Sequence, residues 1–170
     1  MVIFTDGGAR PTNPGPGGFG VLVLDIPKNF DYNNFTSPVR VLDCYSKHTN
    51  NMTTNNAEEI KAILYSFYRY GININNMEST EIPVVYSDSA YAVNTLTQWV
   101  FGWASRGWLK SDNKLPENLE LVRAFYEHWQ KGYRIEIKKV KGHKGIWGNE
   151  MADALARGSI TPEEVMKIYG

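Results

Sequence analysis

The order of apolar runs along the chain is the feature that most restricts its fold. Three runs typical of β-strands come first, at residues 2–4, 20–24 and 39–45. A helical spacing of apolar residues then runs from 54 to 71, followed by a compact apolar run at 82–86 and a helical stretch at 87–98. Because strands that alternate with helices pair in parallel, we predict a mixed sheet: an antiparallel meander joined to parallel strands.

The last third of the chain completes this pattern. A helix is predicted over 117–131, with Pro116 in its first turn, and a half-exposed strand over 134–140. Asn149 is a candidate cap for a helix that Gly158 ends, and a helical turn begins at Thr161. The prediction is therefore an α/β fold with five strands in one mixed sheet and helices on both faces.

Composition restricts the function classes. The chain has 170 residues, 42% of them hydrophobic, and 18 acidic residues balance 18 basic ones. This length predicts a single domain over 1–170, and zero net charge excludes a general polycation effect on nucleic acids. The lone Cys44 excludes a disulfide framework and is expected to be a small buried hydrophobe. With no long apolar stretch, we expect a cytoplasmic protein without membrane contact.

Two aspartates come directly after apolar strands, and both are candidates for catalysis. Asp6 follows the first strand and Asp88 follows the run at 82–86. An aspartate at such a position is usually a turn residue or a helix cap. In open α/β sheets, however, ligands bind at the carboxyl ends of strands, so two such aspartates can face one crevice.

Glu59 and Asp153 lie near the starts of two predicted helices. There the helix dipole favours an acidic residue regardless of function, and Glu58 and Glu150 are equally acidic neighbours. Glu59 lies at the edge of the apolar stripe of its helix, whereas Glu58 is expected to fall further out. The pattern thus favours Glu59 over Glu58 as a functional residue.

Convergence of these four carboxylates would require metal ions. At 4 Å two carboxylates repel by about 4 kcal/mol, at an effective dielectric constant of about 20. Oxygen ligands suit Mg²⁺ or Mn²⁺, and a pair of such ions promotes in-line displacement at phosphorus. His143 stands between Gly142 and Lys144; such a residue is commonly a mobile surface residue, but mobility also suits a proton shuttle.

Four ordered blocks carry a resemblance to a known family. They are TDGGARPTNPGPGGFG at 5–20, TTNNAEEIKA at 53–62, VYSDSAYAV at 85–93 and VKGHKGIWGNEMADALA at 140–156. The chain resembles ribonuclease H of type 1, which cuts the RNA strand of RNA/DNA hybrids. The resemblance implies a ribonuclease H-like fold, metal ligation by Asp6, Glu59, Asp88 and Asp153, and a flexible-loop role for His143.

The resemblance also implies a mechanism and a set of substrate-binding residues. Two Mg²⁺ ions, replaceable by Mn²⁺, would serve hydrolysis to 5′-phosphate products in a monomeric, stand-alone catalytic domain. Asn13, Asn55 and Asn56 match positions that contact the minor groove of the hybrid, whereas Thr54 and Asn118 match positions that hold a DNA-strand phosphate. The chain departs from relatives at Met52, where an arginine is common, and in the charge-balanced segment 103–122, whose counterpart is usually basic.

Two other functions remain compatible with the same fold. One is a non-catalytic protein that binds hybrids, which would most simply show as a missing carboxylate; none of the four is missing. The other is a DNA-cutting nuclease of the same superfold, against which the TTNN and VKGHKG segments favour a hybrid-specific enzyme. An assay on three duplex types distinguishes these functions.

Overall fold

A computed structural model describes residues 1–76, 81–142 and 145–170. Its main sheet has five strands in the order β3-β2-β1-β5-β7, with β1, β2 and β3 antiparallel and β5 and β7 parallel to β1. The strands are β1 (Val2–Ala9), β2 (Gly15–Leu24), β3 (Val41–Thr53), β5 (Val84–Ser87) and β7 (Glu136–Lys139), and the short β4 (Ile72–Asn73) and β6 (Tyr133–Arg134) pair separately. The predicted mixed five-stranded sheet is confirmed.

Helices cover both faces of this sheet. They are α1 (Asn55–Tyr70), α2 (Ala90–Asn94), α3 (Val100–Ser105), α4 (Leu119–Gln130), α5 (Trp147–Arg157) and α6 (Pro162–Tyr169). Strand β1 alternates between two cores: Ile3 packs with the α1 and α4 side, whereas Val2 and Phe4 pack with the α5 and α6 side. This two-sided burial explains the continuous apolar run of β1. The described chain contains no helix that is long and apolar enough to cross a membrane.

The first two strands extend further than the sequence predicts. β1 continues through Asp6 to Ala9 because β2 already begins at Gly15 and pairs with it, with Gly20 opposite Asp6. Asp6 therefore lies inside a strand and does not follow one. The glycines that suggested a loop instead allow helices to approach: a Cβ on Gly7 would lie 2.4 Å from the Glu58 carbonyl carbon. β3 likewise extends beyond the predicted 39–45, through a polar half that pairs with β2.

The predicted helix over 87–98 has different limits. Ser87 still belongs to β5, the Ser89 hydroxyl caps α2, and the helix runs on through a π-helical turn (Thr95–Trp99) into α3. The helix predicted over 117–131 begins at Leu119, so Pro116 precedes it. Its cap residue, Asn118, has a left-handed backbone with φ of 57°.

Several further expectations are corrected, most of them in the last third of the chain. Asn149 does not cap α5, which begins two residues earlier at Trp147 after Ile146; Asn149 lies buried in the first turn. Gly158 ends α5 in the left-handed conformation as predicted. The strand predicted over 134–140 is divided between β6 and β7, and the turn at Thr161 is a capped helix, α6. Cys44 is only half-buried.

The close approach of α5 to β2 makes Gly20 a sensitive position. A Cβ there would lie 2.6 Å from the Ala152 carbonyl oxygen and 2.7 Å from the Leu155 Cβ. We expect Gly20→Ala to lower the free energy of unfolding in urea by about 2–3 kcal/mol, because neither contact is the end of a flexible side chain. The matched control is Gly102→Ala within α3, where the added Cβ meets only the mobile guanidinium of Arg106 at 3.3 Å. That variant should be neutral or stabilised by up to about 1 kcal/mol, and equal effects at both positions would contradict the packing argument.

Candidate active site

Two neighbouring parallel strands bring Asp6 and Asp88 to the same place. Thr5 of β1 pairs with Ser87 of β5, so the next residue along each strand is one of the two aspartates. Glu59 reaches the same point from α1. Single carboxylate oxygens of Asp6, Glu59 and Asp88 all lie within 4.8 Å of one another. The structure thus brings together three of the four carboxylates that the sequence predicts.

The start of α1 is fastened to β1 and its following loop. The Thr54 hydroxyl accepts a hydrogen bond from the Ala57 backbone N–H (3.1 Å), which caps the helix. The Asn55 Oδ1 accepts from the Ala9 N–H (2.8 Å), and the Asn55 N–H donates to the Asn13 Oδ1 (3.0 Å). These bonds place Glu59 over the end of β1.

Asp153 lines the same cavity from α5 but is held by arginines. One of its carboxylate oxygens accepts from Arg10 at 3.1 Å, and the other accepts from Arg157 at 2.9 Å. It is not part of the three-oxygen cluster found among the described residues, but it shares a hydrogen bond with Asp6 of that cluster. Arg10 was not identified from the sequence, although an arginine just after a strand that carries a candidate aspartate was an available signal.

The cavity has a volume of about 330 Å³ and is lined almost entirely by polar residues. Two buried oxygens that belong to lining residues, Glu59 Oε2 and Asn149 Oδ1, have no hydrogen-bond partner within the described part of the chain. A buried acceptor without a partner is costly, and a hard cation prefers such oxygen atoms. The residues therefore fit a metal ion. The sequence pattern suggested Asn149 only as a cap, so its place in the cavity was missed.

Burial and mutual repulsion hold protons in this site. Burial raises the pKa of Asp6 to about 7; a hydrogen bond with Glu59 opposes this, whereas a hydrogen bond with Asp153 and the negative charges of Asp88 and Asp153 add to it. Burial and then the charge of Asp6 raise the pKa of Glu59 well above its usual range. For Asp153 burial acts in the same direction, but a hydrogen bond from Asp6 and the two arginines outweigh it and lower its pKa.

Glu58 is not the solvent-facing neighbour that the sequence predicts. It is only 2% exposed, which is less than Glu59. Its Oε2 accepts from the Thr53 hydroxyl (2.8 Å) and pairs with Lys61 at 2.7 Å. Glu58 is buried with partners and does not line the cavity, whereas Glu59 lines it and has a buried oxygen without a partner in the described part of the chain. The two glutamates thus differ in whether they line the cavity and not in how deeply they are buried.

The predicted substrate contacts are distributed around this cavity. Asn55 and Asn56 line it, together with the exposed Glu150. Asn118 donates from Nδ2 to the Tyr91 hydroxyl (3.1 Å) and, like Asn13 and Thr54, is not among the lining residues. His143 lies outside the described residues.

Fold and site together define an α/β protein with an acidic cavity whose three clustered carboxylates could hold a metal ion. The RNase H family model matches residues 1–161, and the chain belongs to this family. A ribonuclease H of Agrobacterium fabrum (strain C58 / ATCC 33970) is 34% identical over 160 residues, covering 94% of each chain. This membership confirms the resemblance carried by the four sequence blocks, and with it the assignment as a ribonuclease H.

Solved structures show the same fold. The crystal structure of LC9-RNase H1, a type 1 RNase H with the type 2 active-site motif, is 28% identical with a TM-score of 0.64, and the match covers 93% of this chain and 70% of that one. The crystal structure of LC11-RNase H1 in complex with RNA/DNA hybrid is 23% identical with a TM-score of 0.59, over 92% and 94% of the two chains.

Asp6 should make the stability of the metal-free protein depend on pH. Its pKa is about 7 when folded against 3.8 ordinarily, so the folded state keeps a proton that the unfolded state releases. In EDTA we expect Asp6 to contribute a fall of at most about 4 kcal/mol in the free energy of unfolding as pH rises from about 4 to about 7, and Glu59 to add a fall of its own because its pKa is also raised. Asp6→Asn should remove the contribution of Asp6 and be the more stable protein at pH 8.

The control for this measurement is Asp25→Asn, which removes an exposed carboxylate 3.7 Å from Arg40. It should keep the wild-type pH dependence. A difference in unfolding free energy between wild type and Asp6→Asn that stays constant from pH 4 to pH 8 would contradict the assignment of the raised pKa to Asp6.

Proposed function

We propose that this chain is an endoribonuclease that hydrolyses the RNA strand of RNA/DNA hybrids at the carboxylate cavity. The observation that carries the proposal is the approach of Asp6, Glu59 and Asp88 to within 4.8 Å of one another. A buried arrangement of like charges is unfavourable unless it serves cations. Family membership and the hybrid bound to the related LC11-RNase H1 support the choice of substrate.

The same residues suit a pair of magnesium ions. Asp6, Glu59, Asp88 and Asp153 would hold them, and Mn²⁺ could replace Mg²⁺ because all these donor atoms are oxygens. When bound, such a pair activates water and stabilises charge on the leaving oxygen of an in-line displacement at phosphorus, which gives 5′-phosphate products. The Asn149 Oδ1 is a further buried acceptor beside these carboxylates.

The protein's own contribution is positioning and proton transfer. Asp6 is fixed within β1 and Glu59 is fixed through the bonded start of α1, so little reorganisation is needed when substrate arrives. We assign to His143 the transfer of a proton at the leaving 3′ oxygen, which suits an imidazole near neutral pH. Its place in a glycine-flanked segment of the sequence supports that role.

Strand discrimination is assigned to the asparagines at the cavity. The Asn55 Oδ1 is committed to the Ala9 N–H, so contact of Asn55 with substrate would use its amide donors. With Asn13 and Asn56 it would read the minor groove, where the 2′-hydroxyls of RNA distinguish the strands. Thr54 and Asn118 each retain a proton to donate to a DNA phosphate, since Thr54 accepts from Ala57 and only one amide hydrogen of Asn118 is directed at Tyr91.

We further propose that residues 1–170 form one catalytic domain that acts as a monomer in the cytoplasm. Both sheet faces are covered by helices of the same chain, and the lone Cys44 suits a reducing compartment. Light scattering on a sizing column is the direct test of the oligomeric state.

The activity is tested on three labelled duplexes: RNA/DNA hybrid, double-stranded RNA and double-stranded DNA. In Mg²⁺ we expect cleavage of the RNA strand of the hybrid alone. Asp88→Asn should reduce this cleavage at least about 10³-fold, because it removes a charged ligand from the cation site. Asp25→Asn, which removes an exposed carboxylate paired with Arg40 and not among the cavity residues, is the matched control and should retain most activity. Full activity of Asp88→Asn would reject the site, and cleavage of DNA would favour the other nuclease class.

Substrate affinity is expected to be limited by Met52, which is 74% exposed beside the start of α1. An arginine there could donate to a phosphate, whereas methionine cannot. We expect Met52→Arg to tighten hybrid binding in Ca²⁺ and to steepen the slope of log affinity against log salt by about 0.9. Ile168→Arg adds the same charge at an exposed site on α6 and should change neither quantity. Equal effects of the two substitutions would show that charge alone, and not the phosphate position, is responsible.

A further inference from the structure

A second groove adjoins the carboxylate cavity and has the opposite charge. Its volume is about 210 Å³, and its lining includes Arg10, Arg157 and His48 around the backbone of Gly17 and Gly18. No Asp or Glu is among its lining residues in the described chain. The carboxylate cavity, in contrast, is lined by five acidic residues and one cation, Arg10, which borders both spaces. The sign of the surface charge therefore changes at Arg10.

The two arginines are only partly neutralised. Both pair with Asp153, one at each carboxylate oxygen, and their side chains remain 46% and 44% exposed. Each guanidinium carries more N–H donors than a single carboxylate oxygen accepts. Two positive charges against one negative charge leave an excess positive charge, together with unused donor capacity at the exposed side chains.

His48 lines the same groove, but its ring hydrogen is committed to the backbone. Its Nε2 lies 3.1 Å from both the Leu155 and Ala156 carbonyl oxygens. Carbonyl oxygens only accept, so this nitrogen carries the hydrogen, and it anchors the ring to the end of α5. The cations and the free donors of the groove are therefore those of Arg10 and Arg157, and guanidinium donors are the chemistry that recognises an anion.

We propose that this arginine groove, defined by Arg10, Arg157 and His48, binds a phosphate of the RNA strand next to the scissile one. The inference rests on the proposed function, which places the scissile phosphate at Asp6, Glu59 and Asp88. A guanidinium that borders both spaces can reach the neighbouring phosphate of the same strand, and its planar donors match phosphate oxygens. The positions assigned to the DNA strand, Thr54, Asn118 and Met52, line neither space.

Salt titration of hybrid binding in Ca²⁺ tests the phosphate contact. We expect Arg10→Gln and Arg157→Gln each to weaken binding roughly fivefold and to flatten the slope of log affinity against log salt by up to about 0.9. The control is Arg40→Gln, which also removes an exposed arginine paired with one carboxylate, Asp25, and should change neither quantity. Wild-type affinity and slope in both groove variants would overturn the proposal.

The strand is identified with nicked substrates. Two abutting oligonucleotides with hydroxyl ends omit one phosphate, and the nick is moved along the RNA strand or the DNA strand of a hybrid whose cleavage site has been mapped in Mg²⁺. We expect one RNA nick near the cleavage site to weaken wild-type binding but not to weaken Arg10→Gln further. Loss of sensitivity to a DNA nick instead would place the groove on the other strand and overturn the assignment.

A double variant distinguishes direct phosphate binding by Arg10 from an indirect effect of Arg10 on the position of Asp153. Asp153→Asn removes the ion pair, so a groove that binds phosphate directly should still lose affinity when Arg10→Gln is added. If Arg10→Gln has no effect in that background, Arg10 acts only by holding Asp153 and the proposal fails. Failure of the proposed function differs from both results, because the wild-type protein would then not cleave the hybrid in Mg²⁺, whether or not it binds the hybrid.

Discussion

The close approach of two helices to the centre of the sheet is the constraint on which the site depends. α1 meets β1 at Gly7 and α5 meets β2 at Gly20, and at both positions a Cβ would lie under 3 Å from backbone of the facing helix. A larger residue would push each helix outward. Glu59 and Asp153 are carried on these two helices. Their distance from Asp6 is therefore short because the glycines have no side chain to keep the helices away from the sheet.

This geometry opposes stability. The acids that the helices bring to β1 are buried beside one another, and burial and repulsion raise the pKa values of Asp6 and Glu59. Two hydrophobic cores, one on each face of the sheet, hold these groups in place despite that cost. Ile3 and Val85 belong to one core and Phe4 to the other. A site that is unfavourable without cations and favourable with them is a common compromise between stability and activity in enzymes.

The sequence predicted the site best where two parallel strands lie side by side, and least well where glycine is involved. Adjacent parallel strands made the meeting of Asp6 and Asp88 predictable, because register alone fixes it. Gly7 and Gly20 suggested a loop and a strand start, yet both lie within paired strands, since ladder hydrogen bonds and tight helix packing override the local preference of glycine. The pairing of Glu58 with Thr53 and Lys61 involves side-chain directions that helical periodicity does not specify.

Because the protein has no net charge, only local clusters of charged residues can attract or orient a polyanion. The chain has zero formal net charge, so long-range attraction contributes little to capture of a polyanion. The carboxylate cavity and the cationic groove instead lie side by side, so the sign of the local charge changes at Arg10, which borders both. Such a gradient orients a phosphate chain without attracting other nucleic acids strongly, since phosphate contacts fix register whereas donors at the grooves select the strand. Within the proposed function, the register of the substrate therefore follows from where the two opposite charges meet, and the choice of strand follows from the asparagines at the cavity.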